Sequence, residues 1–152
     1  MPNHVWNKLT VEGPEDDVQR FVERVVSEEL DHKGEPYLLD FIAHVPVPAD
    51  LPRDEVPVWA IDAWGCLQPL SAEVSDRQPG RVVYFIVTAA GLPTPWLQAT
   101  SQAEPTLAFE HEWMEEFAQS YGRRRYEGGK LVREDDIEPT DLEWVTWDEE
   151  GD

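Results

Sequence analysis

Apolar residues fall into a few well-marked stretches. The longest unbroken β-branched and aromatic run is Val82-Val83-Tyr84-Phe85-Ile86-Val87, inside RVVYFIVTAA at 81–90. A run without polar alternation reads as a strand covered on both faces, or nearly so. Residues 5–12 alternate, with Val5, Leu9 and Val11 opposite Trp6, Lys8 and Thr10, which predicts a half-buried first strand. Asn7 lands on its apolar face, where the amide needs partners. Gly13-Pro14 then opens a helix, with Glu15, Asp16 and Asp17 in the first turn where carboxylates oppose the positive helix end. Val18, Phe21, Val22, Val25, Val26 and Leu30 continue it as one stripe over four turns.

Residues 38–45, LLDFIAHV, predict a second strand paired with 81–90, followed by a proline-rich segment. Residues 59–64 predict a short helix ending at Gly65, and 73–75 start a hairpin turning through 77–80 into the central strand. Thr94 is placed as the N-cap of a helix over 95–103, with Pro95 first inside it. Leu107, Phe109, His111 and Trp113 alternate with Ala108, Glu110 and Glu112, a strand with one acidic face. Gly128-Gly129 reads as a two-residue hairpin turn between 118–126 and 130–133.

This order predicts an α+β protein: a ferredoxin-like antiparallel sheet with helices packed on one face, elaborated by a C-terminal hairpin and an acidic tail. The expected division is one domain over 1–133 and a tail over 134–152, where ten of nineteen residues are Asp or Glu and none is basic. Leu142, Trp144, Val145 and Trp147 give that tail the means to dock on its own domain or on a partner.

Several of these residues carry a resemblance. Met1-Pro2-Asn3, Trp6-Asn7-Lys8-Leu9-Thr10-Val11, Gly13-Pro14, the PVPADLP segment, Trp59 and the Trp64-Gly65 pair resemble the YubB/Api92-like family. The match in order runs over about residues 1–133; Cys66-Leu67-Gln68 departs from the Thr-Lys-Trp that commonly follows the family's Trp-Gly pair. Asn7, Trp59, Trp64 and Gly65 are thus structural-motif residues. The family occurs on phages and plasmids and has no settled activity, so the resemblance implies a mobile-element protein and little chemistry.

The formal net charge of −20 narrows the partners. It disfavours direct binding to nucleic acid or anionic membrane, since phosphate contacts need clustered Lys and Arg. It favours a basic protein reached by electrostatic steering, unless the acidity is a proteome-wide bias. No basic n-region or long apolar run appears, so the expectation is a cytoplasmic protein.

Candidate chemistry is sparse, and the expectation is a protein that is not an enzyme. Cys66, the only cysteine, excludes an internal disulfide or an iron–sulfur cluster and reads as a buried hydrophobe. His111 points away from Glu110 and Glu112, which sit about 7 Å apart on one strand face. Arg123, Arg124 and Arg125 read as internal ion-pair partners. Asp135, Asp136, Glu138, Asp141 and Glu143 lack the spacing and glycine of a calcium loop. No catalytic residue, metal or cofactor is expected.

Two binding roles follow. In one, exposed carboxylates on Glu110, Glu112, Glu115 and Glu116 occupy the groove of a basic nucleic-acid-binding host defence protein. In the other, Trp144 and Trp147 anchor the chain in an assembly, with the oligomeric state left open.

Overall fold

The computed structural model describes residues 4–27, 34–36, 38–116 and 121–135. It is an α+β fold built on a six-stranded antiparallel sheet with spatial order β2-β3-β1-β4-β5-β6. In chain order the strands are β1 (His4–Glu12), β2 (Ser71–Gln78), β3 (Arg81–Ala89), β4 (Ala108–Glu115), β5 (Tyr121–Glu127) and β6 (Lys130–Asp135). The α-helices are α1 (Glu15–Arg24), α2 (Val56–Ala63) and α3 (Thr94–Ala103). None of the described helices is long and apolar enough to cross a membrane.

The run at 82–87 does form the most enclosed strand. Val82, Tyr84 and Ile86 face the main core with Leu9, Val11, Phe109 and Tyr126, under Val18, Phe21, Trp96 and Leu97 from α1 and α3. On the other face Val83 and Ala89 are also buried, and Phe85 and Val87 are half-buried. Burying aliphatic and aromatic surface at roughly 25 cal/mol per Å² makes this layer the main stabilising element. The glycine hairpin forms as the sequence implies: Gly128 and Gly129 adopt φ of 59° and 82°, and Glu127 pairs with Lys130.

The expected second strand at 38–45 does not exist. β3 pairs with β1 and β2, and the segment instead turns through a short 3₁₀ helix at Phe41–Ala43. Its polar groups are engaged elsewhere. Asp40 donates its N–H to the Val25 carbonyl (2.7 Å), and its side chain accepts from the Ile42 N–H (3.0 Å). The Phe41 N–H reaches Gln68 Oε1 (3.3 Å), and its carbonyl accepts the Trp96 indole N–H (3.1 Å). Phe41 lies against Trp96 and Trp64, with ring centroids 4.5 and 5.6 Å away. Here side-chain capping and aromatic packing outcompete strand propensity.

Other boundaries shift. α1 ends at Arg24 rather than continuing toward Leu30, which lies outside the described residues; Val26 is 39% exposed. Thr94 does not cap α3: Pro93 flanks the helix, Thr94 is its first residue, and the Thr94 hydroxyl is buried without a partner among the described residues. The hairpin strand before β3 runs the full length of β2. β6 pairs through Asp135, so Glu134 and Asp135 belong to the sheet.

Candidate interaction surface

The carboxylates expected to be exposed on β4 are tied into the sheet. Cross-strand register places Glu110 opposite Arg125 and Glu112 opposite Arg123, with Lys8 opposite Glu112 on the other side. Glu112 is buried, held by Arg123 at 3.0 Å and by Lys8 at 3.7 Å. Glu110 is half-buried and pairs with Arg133. Glu116 is half-buried, accepts from the His4 N–H (3.0 Å) and lies 3.2 Å from the His4 ring; Glu115 is half-buried and also has a partner. The exposed acidic strand face is therefore corrected to an ion-paired lattice. The arginines cause this: Arg123 of the neighbouring β5 reaches Glu112, and Arg133 of β6 reaches across to Glu110.

The same lattice accounts for the Arg123–Arg125 triplet. Arg125 contacts Glu127 at 2.9 Å and Glu12 at 3.6 Å, while Arg124 contacts Glu134 at 2.5 Å and lies 4.7 Å over the Trp113 ring. Internal pairing, as read from the sequence, is what forms.

Asn7 finds its partners. Its amide nitrogen donates to the carbonyls of Val5 and Ile86 (both 3.1 Å) and to the Thr88 hydroxyl (3.2 Å). Its oxygen must then accept from His111 Nε2 at 2.7 Å, which fixes the histidine tautomer. His111 Nδ1 is buried without a partner among the described residues, and burial with Arg124 nearby lowers the imidazole pKa to about 3. A neutral histidine stacked on Trp113 at 5.2 Å is a packing group, not a base poised near neutrality.

The second buried histidine was not singled out as a site from the sequence. His44 Nε2 lies 2.8 Å from Glu104 Oε2, and Arg24 reaches the same oxygen at 2.9 Å. The His44 ring stacks on Phe21 at 5.6 Å and meets the Trp96 edge at 6.2 Å. Only the folded arrangement joins α1, the 40s turn and the end of α3, so local spacing gave no signal. Cys66 is fully buried, and burial pushes its thiol up to about 12. A thiol so disfavoured as thiolate is a poor nucleophile. No cluster of His, Cys, Asp and Glu suited to a metal occurs among the described residues.

The aromatic motif residues are structural. Trp64 is buried and donates its indole N–H to the Val45 carbonyl (2.9 Å), with Trp59 against it at 5.1 Å. Gly65 has φ +91°, and a Cβ there would meet the Leu92 carbonyl oxygen at 2.2 Å and Pro95 Cδ at 2.6 Å. The Trp-Gly pair thus lets two backbone segments cross. Trp144 and Trp147 lie outside the described residues.

A different acidic surface emerges where base is scarce. Glu15, Asp16, Glu23, Asp50, Asp54, Glu55, Asp62 and Glu73 are all exposed and make no ion pair among the described residues. Asp54, Glu55 and Asp62 flank α2, whose Val58 and Ile61 are 75% and 45% exposed. The sequence held one signal for this helix: V-P-V-W-A-I-D-A is apolar around most of its circumference, more than one short helix can bury against one neighbour.

No protein-family model and no curated protein matches the chain. Among solved structures it is similar to the crystal structure of a protein Api92 from Yersinia pseudotuberculosis, family model DUF1281. The TM-score is 0.63 at 8% identity, covering 91% of this chain and 99% of that one. At that identity the likeness is one of fold, and the chain has an Api92-like α+β fold.

Proposed function

We propose that the chain is a non-enzymatic protein-binding module of a phage or plasmid, acting in the cytoplasm, whose acidic surface occupies the groove of a basic nucleic-acid-binding host defence protein. The partition of charge carries this reading. Lys8, Arg81, Arg123, Arg124, Arg125 and Arg133 are spent on carboxylates of the sheet. Among the described residues, exposed carboxylates of α1, the 50–62 segment and Glu73 of β2 are left without ion pairs, so unneutralised negative charge faces outward there. Such a field speeds encounter with a basic surface and suppresses encounter with phosphate.

The finer fold reading belongs with this. The subset order β2-β3-β1-β4, with α1 following β1 and α3 following β3, supports a ferredoxin-like chain path to which β5 and β6 are appended. A cytoplasmic setting suits the single, free and buried cysteine.

The test is capture by tagged protein from a bacterial lysate, washed at about 50 and then about 500 mM salt and read by mass spectrometry. Screening lengths fall from about 14 Å to about 4 Å over that range. A basic nucleic-acid-binding protein retained at low salt and released at high salt is the expected result. A partner held equally at both, or none at low salt, contradicts the reading.

A further inference from the structure

We infer that the contact surface for such a partner is the outward face of residues 54–62, with Val58 and Ile61 as apolar anchors and Asp54, Glu55 and Asp62 as the charged rim. This rests on the protein-binding reading above and names its surface and the chemistry of its occupant. A 3₁₀ turn at Arg53–Glu55 runs directly into α2. At about 100° per residue, Asp54, Val58 and Asp62 fall in line at i, i+4 and i+8, and Glu55 and Ile61 lie to either side. The opposite side is the packed one: Ala60 is buried, and Trp59 and Ala63 pack against the core with Trp64. Val58, 75% exposed, is the most exposed of the large hydrophobic residues described.

Aliphatic surface centred within unpaired carboxylates is costly to leave in water and does nothing for the fold. β4 offers no equivalent, because Glu110 and Glu112 already hold arginines. Within residues 50–62, Asp50, Asp54, Glu55 and Asp62 stand against Arg53 alone, leaving −3. The complementary occupant has arginines or lysines around apolar or aromatic side chains. That is the composition of a groove that neutralises phosphates and stacks bases. The carboxylates stand in for phosphates, and the Val58–Ile61 pair stands in for the stacked base.

The experiment titrates isotope-labelled protein at about 50 mM salt with two synthetic helical peptides of equal positive charge. One carries a Trp/Leu stripe flanked by Arg and Lys, and in the other that stripe is Ser. The expected result is amide shifts concentrated in 53–63, and about tenfold weaker binding of the Ser peptide. Val58→Ser with Ile61→Ser should weaken the Trp/Leu peptide about tenfold at an unchanged thermal midpoint, both residues being exposed. Leu131→Ser with Val132→Ser, a similarly exposed apolar pair on β6, should change it less than about twofold. Shifts centred on α1 or the sheet, or equal binding of the two peptides, overturn this surface while leaving the acidic-binding reading in place. Failure of both peptides to bind overturns the two together.

Discussion

At the scale of single residues, buried polar groups behave as a connected set. Asn7 links β1 to β3 through the Ile86 carbonyl and the Thr88 hydroxyl, and to β4 through His111. Asn7→Leu keeps the volume and strands the buried His111 Nε2–H, while the Thr88 hydroxyl keeps its bond to the Gly91 carbonyl. We expect a loss of about 2–4 kcal/mol in urea unfolding. His111 sets a pH dependence whose sign follows from its lowered pKa. The native state holds it neutral down to about pH 3, whereas the unfolded chain protonates near the ordinary 6.5. Its contribution is therefore complete above pH 6.5 and is lost as pH falls toward 3, with a slope of up to about 1.4 kcal/mol per pH unit. In His111→Gln, which keeps a donor for Asn7, that part of the slope should vanish; an unaltered slope would assign it to the carboxylates. Cys66 should resist thiol reagents in the native state and react once urea unfolds the chain. The demand of Asn7 for partners was legible in the alternation of 5–12. Their identity was not, because it depends on the register of β1 against two strands distant in sequence.

At the scale of elements, legibility followed how locally each element is determined. β1, β3, β4 and the β5–β6 turn are set by alternation, by one apolar run and by a glycine pair, and all were readable. Residues 38–45 were misread because their fate is decided by Gln68, Trp64 and Trp96, which approach only in the fold. β2 escaped notice over most of its length because it is an exposed edge strand with a bulge between Val74 and Asp76 and no apolar face. The Trp64-Gly65 junction gives an element-level test. Gly65→Ala places a Cβ into the Leu92 carbonyl at a positive φ, and the thermal midpoint should fall by roughly 5–10 °C. An unchanged midpoint would mean that the crossing is loose.

At the scale of the whole molecule, the net charge of −20 was readable at once, but its distribution was not. Composition gives no account of which carboxylates meet arginines. Glu110 and Glu112 looked exposed by alternation alone, and Arg133 of β6 and Arg123 of β5 reverse that. Among the described residues, the carboxylates left without ion pairs lie on α1, β2 and the 50–62 segment. The most direct measurement compares capture of a basic nucleic-acid-binding protein at about 50 mM salt by wild type, by Asp54→Asn/Glu55→Gln/Asp62→Asn, and by Glu110→Gln. The triple variant should lose at least about tenfold in recovery while Glu110→Gln stays within about twofold. Recovery unchanged in the triple variant and lost in Glu110→Gln would return the binding surface to β4 and contradict it.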